Sequence, residues 1–343
     1  MLLWLTIALI FTLCFWRIQR DLTIAKHGLG ISLALCGTTI CALLLAGEGA
    51  FRILYWIRRD INPLATIQYF EDPELGWNGH QYELRGSPTA PKLLVLGDSF
   101  TEGMGLPRES LYFSKLQETL SLNVAAYAGQ GFGTLQELLM LRRWHKDLQP
   151  DIVLLQLCSN DFINNSWALE HRSALQAAPW IRPYLENGKV VLRYPRSLPQ
   201  LRMWLIGQSR MFHFVFRRLD VLNIVLTQHG YLSALENELK TQGATSADFG
   251  QAKELTKELI MQIKKEAAPA KLVAFVVDNE EPAQSAFTTI LGEIGVPYDA
   301  SIGAKLKRAE HTGALLRLDD GVHLNPQGHR LLAELLVPLL RQK

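Results

Sequence analysis

From Lys92 onward the chain alternates short apolar runs with helical stretches, and this alternation restricts the fold more than any other feature. Lys92–Gly97 reads Lys-Leu-Leu-Val-Leu-Gly, too short for a helix and apolar without interruption, as a strand buried on both faces would be. Leu122 to Ala126, Asp151 to Leu157 and Lys271 to Val277 read the same way, with helical patterns over about 109–120, 134–147 and 247–265. Strands that alternate with helices predict a parallel sheet with helices on both faces. Between about 162 and 230 the pattern fails. Pro179, Pro183, Pro195 and Pro199 interrupt it and basic and aromatic residues collect there, which predicts an insertion over one end of the sheet. Over residues 61–91, Pro63, Pro73, Gly76, Gly79, Gly86, Pro88 and Pro91 read as a linker packed along the domain surface, with the domain itself over 92–343.

Ahead of the linker lie two stretches without a charge, Leu2 to Trp16 and Leu29 to Gly47. As helices they would reach roughly 22 Å and roughly 28 Å, and the second matches one hydrocarbon core. Residues 1–60 are therefore read as a membrane anchor of one or two helices, with the lipid bilayer as a partner. A cleaved signal peptide is the competing reading, but no basic stretch precedes Leu2 and no small-x-small site follows Trp16. Glu48 to Ile57 mixes charge with Phe51, Ile53, Leu54, Trp56 and Ile57, as does a helix leaving through the interfacial aromatic belt. Arg17, Arg20 and Lys26 between the stretches balance Arg52, Arg58 and Arg59 after them, so charge leaves the orientation open.

Composition excludes several classes. With 48% hydrophobic and 20% charged residues the chain is not disordered, and 35 Lys plus Arg against 33 Asp plus Glu gives no basic field for nucleic acid. Cys14, Cys36 and Cys41 lie in the apolar N-terminal runs and leave Cys158 alone, so no disulfide framework is expected. Neither a Cys-x-x-Cys pair nor His-Glu-x-x-His occurs, so no zinc site and no other metal is expected.

Ligands of doubly wound sheets bind beyond the carboxyl ends of the strands, so residues just after each strand are the place to seek chemistry. Gly97-Asp98-Ser99 turns from strand to helix and lifts a serine hydroxyl to the sheet edge, where a base would make it a nucleophile. The structural alternative is that Asp98 or Ser99 caps the helix that follows. Gln130-Gly131-Phe132-Gly133 is a glycine-rich turn whose amides can meet a developing oxyanion, or simply a tight turn. In Ser159-Asn160-Asp161 a side-chain amide can donate to the same oxyanion, or serve as a turn residue. Asp320-Gly321-Val322-His323 supplies a base: Asp320 can accept from one imidazole nitrogen while the other faces a serine hydroxyl. Each element is weak alone and carries weight in combination.

In this order of Ser, Gly, Asn and His blocks the chain resembles the SGNH (GDSL) hydrolases. Gly97-Asp98-Ser99 is similar to the first block, Gly131 to the second-block glycine with Gly129 as the fallback, Asn160-Asp161 to the third, and Asp320 with His323 to the last. The resemblance implies a flavodoxin-like three-layer α/β/α fold, a Ser99–His323–Asp320 triad, an oxyanion hole from the Ser99 and Gly131 amides and the Asn160 side chain, and no cofactor. Cys158 departs from it, standing where many members have glycine. Asp72-Pro-Glu-Leu-Gly-Trp77 looks like membrane-anchored bacterial members associated with polysaccharides. That likeness implies an inner-membrane protein with its domain on the periplasmic side, acting on O-acetyl esters of carbohydrate, with other membrane proteins of a polysaccharide pathway as possible partners. An O-acetyltransferase, a lipid esterase or thioesterase, and a non-catalytic scaffold subunit are the alternatives.

Three further readings are plain ones. Trp167, Trp180, Tyr184 and Trp204 are expected to pack rather than to stack on sugars. His329 is read as a solvated helix residue rather than as a metal ligand with Asp319, and Arg182, Lys189, Arg193, Arg196, Arg202, Arg210, Arg217 and Arg218 as a solvated face rather than a site for anionic lipid or glycan.

Overall fold

A strand buried on both faces can keep apolar residues at every position when helices cover it above and below, and the core is built on that arrangement. The computed structural model describes residues 2–23, 29–57, 71–173, 181–195, 199–228 and 235–341. Lys26, Arg58, Arg59, Pro63, Pro179, Trp180 and Arg196 lie outside the described residues. The chain divides into two compact units, one within residues 1–65 and 198–225, the other within 66–197 and 226–343.

The larger unit holds a six-stranded sheet of β1 (His80–Arg85), β2 (Lys92–Gly97), β3 (Asn123–Ala128), β4 (Ile152–Leu157), β5 (Lys271–Val276) and β6 (Tyr298–Asp299) in the order β6-β5-β4-β2-β3-β1. All neighbouring pairs are parallel except β1 with β3. The five parallel strands thus run 2-1-3-4-5, the flavodoxin-like order, with a switch point beside β2. Alternation along each strand feeds two core layers. In β2, Leu94 and Leu96 pack with the Thr134–Leu148 and Ala247–Ala267 helices, while Leu93 and Val95 pack with Tyr112–Leu120 and Pro326–Arg341.

The linker reading misses β1. Of its six residues Tyr82 alone is buried, because an edge strand pairs on one side. Its glycine flanks mark close approach rather than a break: a Cβ on Gly79 would sit 2.7 Å from the Ala128 oxygen. The 162–230 stretch is not one insertion either. Residues 182–193 form an antiparallel hairpin, Arg182–Glu186 with Lys189–Arg193, in the larger unit, whereas residues 198–225 belong to the smaller one.

In the smaller unit α1 (Leu2–Thr23) and α2 (Leu29–Ile57) pack together. Among the described residues, α2 is the one helix long and apolar enough to cross a membrane, over Ala34–Leu54. Helices Pro199–Gln208 and Arg210–Gln228 follow from the second segment.

His329 is a correction. It is not solvated but 1% exposed, on the apolar face of the Pro326–Arg341 helix, its ring stacked on Tyr112 at 6.0 Å. Its Nδ1 has no hydrogen-bond partner among the described residues. Burial, reinforced by His323, pulls its pKa from 6.5 down to about 4. The folded imidazole is neutral, so between about pH 6.5 and 4 the unfolded chain binds the extra proton and stability falls with falling pH. The loss at pH 5 should be roughly 2 kcal/mol. His329→Gln should flatten that slope, read as a smaller difference in melting temperature between pH 7 and pH 5 than in the wild type. An equal difference in both proteins would remove His329 as its source.

Candidate active site

Gly97 closes β2 because nothing larger fits: a Cβ there would lie 2.4 Å from Gln156 Oε1 and from Thr101 Oγ1. The chain turns into the short helix Ser99–Glu102, which Asp98 caps by accepting from the Phe100 amide at 2.9 Å. The Asp98 amide donates to Gln156 Oε1 at 3.0 Å, which ties this turn to the neighbouring strand. Capping is therefore the work of Asp98, and the Ser99 hydroxyl is left for another partner.

That partner is His323, whose Nε2 lies 2.8 Å from Ser99 Oγ. Its Nδ1 lies 2.6 Å from Asp320 Oδ2, and Asp320 Oδ1 accepts from the amides of Val322 and His323 at 2.8 and 2.9 Å. Burial alone would raise the Asp320 carboxyl, but the His323 ring and the two amides outweigh it and hold the pKa below its ordinary value. Asp320 is thus an anion fixed in place, able to select the imidazole tautomer with its proton on Nδ1. The loop is anchored from both sides. Asn325 caps the C-terminal helix at the Gly328 amide, and its Nδ2 donates to the oxygens of Leu315 and Arg317, while Arg317 Nη1 donates to the Val322 oxygen. Gly321 takes a φ of +72°, which the turn between acid and base requires.

After β3, Gly131 has a φ of +66° and borders the same cavity as Ser99 and His323, whereas Gly129 does not. After β4, Asn160 opens the helix Asn160–Asn164, and its Nδ2 donates to Asn164 Oδ1 at 2.8 Å, leaving that nitrogen's second hydrogen for a ligand. The Cys158 amide donates to Asp161 Oδ2 at 2.8 Å and the Ser159 amide to Asp278 Oδ2 at 3.0 Å, so the buried Asp161 and the partly buried Asp278 shape the turn that presents Asn160. Cys158, the departure from the family pattern, packs in the core with its Sγ donating to Asp278 at 3.3 Å, and the turn needs no left-handed φ there. Burial pushes the Asp98, Asp161 and Asp278 carboxyls up, which lowers the negative charge behind the site.

Ser99, Gly131, Asn160 and His323 line one cavity of about 680 Å³, with Asp320 behind His323. A hydroxyl, a base oriented by a carboxylate, and amide donors meet there, a set able to perform acyl transfer. Among the described residues no group of three His, Cys, Asp or Glu could hold a metal ion.

Sequence reasoning missed Arg182. Far from being solvated, it is 1% exposed, ion-paired at 2.7 Å with the fully buried Glu170. Its Nη2 donates to the Gly131 oxygen and its Nη1 to Gln136 Oε1, both at 2.6 Å, with the guanidinium 4.7 Å from the Trp77 ring centre. Gln136 in turn donates to the Leu75 oxygen at 2.7 Å. The Asp72-Pro-Glu-Leu-Gly-Trp77 segment is thus packed behind the Gly131 turn. Gly76 is needed there, since a Cβ would lie 2.1 Å from the Ile181 oxygen. Tyr184 is buried as expected, donating to Glu170 at 2.8 Å, and Trp167 donates to the Tyr194 oxygen.

Residues 93–336 match the family described as GDSL-like lipase/acylhydrolase. No curated protein is a significant sequence match. Solved structures to which the chain is similar include TesA, 14% identical over 73% of this chain and 98% of that one with a TM-score of 0.40. The psychrotrophic esterase EstA from Pseudoalteromonas sp. is 12% identical over 73% and 96%, with a TM-score of 0.39. A catalytic mutant of Axe2, an acetylxylan esterase from Geobacillus stearothermophilus, is 14% identical over 76% and 97%, with a TM-score of 0.37.

Proposed function

Because this chain belongs to the GDSL-like lipase/acylhydrolase family and is an ester hydrolase, we propose that it is a membrane-anchored serine esterase that removes small acyl groups, acetyl above all, from carbohydrate. The observation that carries the chemistry is the unbroken hydrogen-bonded series from Asp320 through His323 to Ser99, at 2.6 and 2.8 Å. Ser99 Oγ attacks the ester carbonyl as its proton passes to His323 Nε2. Asp320 stays ionised and stabilises the imidazolium. The oxyanion is held by the Ser99 and Gly131 amides and the Asn160 side chain. His323 then protonates the departing sugar oxygen, and a water, deprotonated by the same nitrogen, releases the acid and restores Ser99.

The cavity supports the substrate class. Beside the apolar Phe100, Met104 and Val322 it carries Asn279, Glu280, Lys307, Glu310 and Arg317, groups suited to sugar hydroxyls rather than to a long acyl chain. Anchoring is supported by α2, and the same reading takes the domain to be extracytoplasmic. The test is acid release by the full-length protein from an acetylated xylo-oligosaccharide, beside p-nitrophenyl acetate and p-nitrophenyl octanoate. Acetate release with little octanoate turnover is expected, and faster octanoate turnover would overturn the carbohydrate reading. Acetyl transfer to an added sugar hydroxyl in place of release would make the protein an acyltransferase with the same residues. Asn160→Ala should lower kcat by about 10²–10³-fold with KM little changed, since its donor serves the oxyanion and not the ground state. A change in KM alone would remove Asn160 from that role.

A further inference from the structure

Ester chemistry leaves residues 199–225 unexplained. They fold with the N-terminal helices in the smaller unit, and the contact is specific. Glu48 is the first charge after the uncharged stretch Leu29 to Gly47, and it is buried. Its Oε2 accepts from Ser209 Oγ at 2.8 Å and from the Met211 amide at 3.1 Å, and its Oε1 from the Arg210 amide at 3.1 Å and from Arg52 Nε at 2.7 Å. A carboxylate of α2 thus closes the N-terminus of the Arg210–Gln228 helix, where unsatisfied amides and the helix dipole favour an anion. Around this clamp a Cβ on Gly47 would already lie 3.0 Å from Met211 Sδ, and Phe51 packs on Phe214 with ring centres 4.8 Å apart. Met211 and Phe214 mark the helix face turned to α2.

A second stripe lies roughly 80° round the helix from that face. Val215, Leu219 and Leu222, spaced i, i+4 and i+7, are 42%, 51% and 51% exposed. The Pro199–Gln208 helix likewise leaves Leu201 and Trp204 exposed, and Arg210 and Arg218 are exposed beside these apolar side chains. The occupant this surface fits is lipid. α2 carries its own exposed Leu35, Ile40, Leu43 and Leu54, and the stripe adjoins the face that packs on it. The Glu48 clamp sets the start of the Arg210–Gln228 helix where the uncharged stretch ends, which for a spanning helix is the boundary between hydrocarbon and head groups. Arginines flanking an apolar stripe suit anionic head groups at that depth.

We propose that Pro199–Gln208 and Arg210–Gln228 form an interfacial membrane element, clamped to α2 by Glu48, with Val215, Leu219 and Leu222 among the acyl chains of one leaflet. The proposal rests on α2 being a retained anchor. It gives that retention a purpose, because cleavage after α2 would strip the cap from the Arg210–Gln228 helix. The test uses the full-length protein in vesicles of phosphatidylcholine and phosphatidylglycerol whose acyl chains carry a diazirine, with flotation and mass-spectrometric mapping of lipid-labelled peptides. Label is expected on α2 and on the peptide bearing Val215, Leu219 and Leu222. In Glu48→Ala, α2 should keep its label while that peptide loses most of it. Leu219→Glu with Leu222→Glu, two exposed positions, should give the same loss. Floating protein labelled on α2 but not on the stripe overturns the proposal, whether a second copy or another surface covers it. Full stripe label in Glu48→Ala overturns the clamp. Protein that neither floats nor labels overturns the anchor reading instead.

Discussion

Ser99→Ala should reduce ester turnover by about 10⁴-fold or more while leaving the fold as it is. The size follows from what is removed: the hydroxyl is the atom that would bond to the acyl carbon, and among the described residues no other hydroxyl is hydrogen-bonded to the His323 ring in its place. The structural cost is small, since alanine keeps the Cβ of serine and removes only the hydroxyl, and Asp98, not Ser99, caps the helix. A change in stability within about 1 kcal/mol is expected. Labelling by a fluorophosphonate probe reads the same chemistry without knowledge of the substrate. Wild type should label, and Ser99→Ala and His323→Ala should not. A folded Ser99→Ala protein with undiminished turnover would overturn the nucleophile, and a folded wild type that neither labels nor turns over ester would favour a scaffold role.

What the sequence made legible follows from how each feature is encoded. The parallel strands β2, β4 and β5 could be read because burial on both faces writes an unbroken apolar run, and the turns after them could be searched because the fold class says where ligands lie. Ser99, His323 and Asp320 stand 224 and 3 residues apart in sequence, yet the order of the blocks brought them together before any distance was known. The edge strand β1 was lost because one buried side chain, Tyr82, is too little to show a period. His329 and Arg182 were lost for a different reason. Whether a polar residue is solvated depends on what other elements bring to it: Tyr112 and the helix packing for His329, Glu170, Gln136 and Trp77 for Arg182. No local pattern records those partners. The same holds for Glu48, which reads as the charge that ends a span and turns out to cap a helix that begins 162 residues later.

Arg182 carries the second large effect. Arg182→Met should destabilise the protein by about 3–5 kcal/mol, because it strands the buried Glu170 carboxylate without its cation. It should also lower kcat by about 10–100-fold, because the Gly131 oxygen loses the donor that holds it, and with it goes the backbone conformation at Gly131 that directs the residue's own amide, one peptide plane earlier, toward the proposed oxyanion site. These two losses are separable. Adding Glu170→Gln to Arg182→Met removes the stranded charge and should restore most of the stability, read by denaturant unfolding in detergent, since paired replacement of a buried ion pair costs far less than breaking it. The Gly131 oxygen remains unheld in the double variant, so kcat should stay low while KM stays near the wild-type value. Were kcat to recover together with stability, Arg182 would be a core ion pair and no more. If kcat stays depressed in a stable protein, the guanidinium positions the oxyanion turn. The Asp72-Pro-Glu-Leu-Gly-Trp77 segment, which supplies Trp77 beneath that guanidinium and the Leu75 oxygen to Gln136, would then be part of the same support.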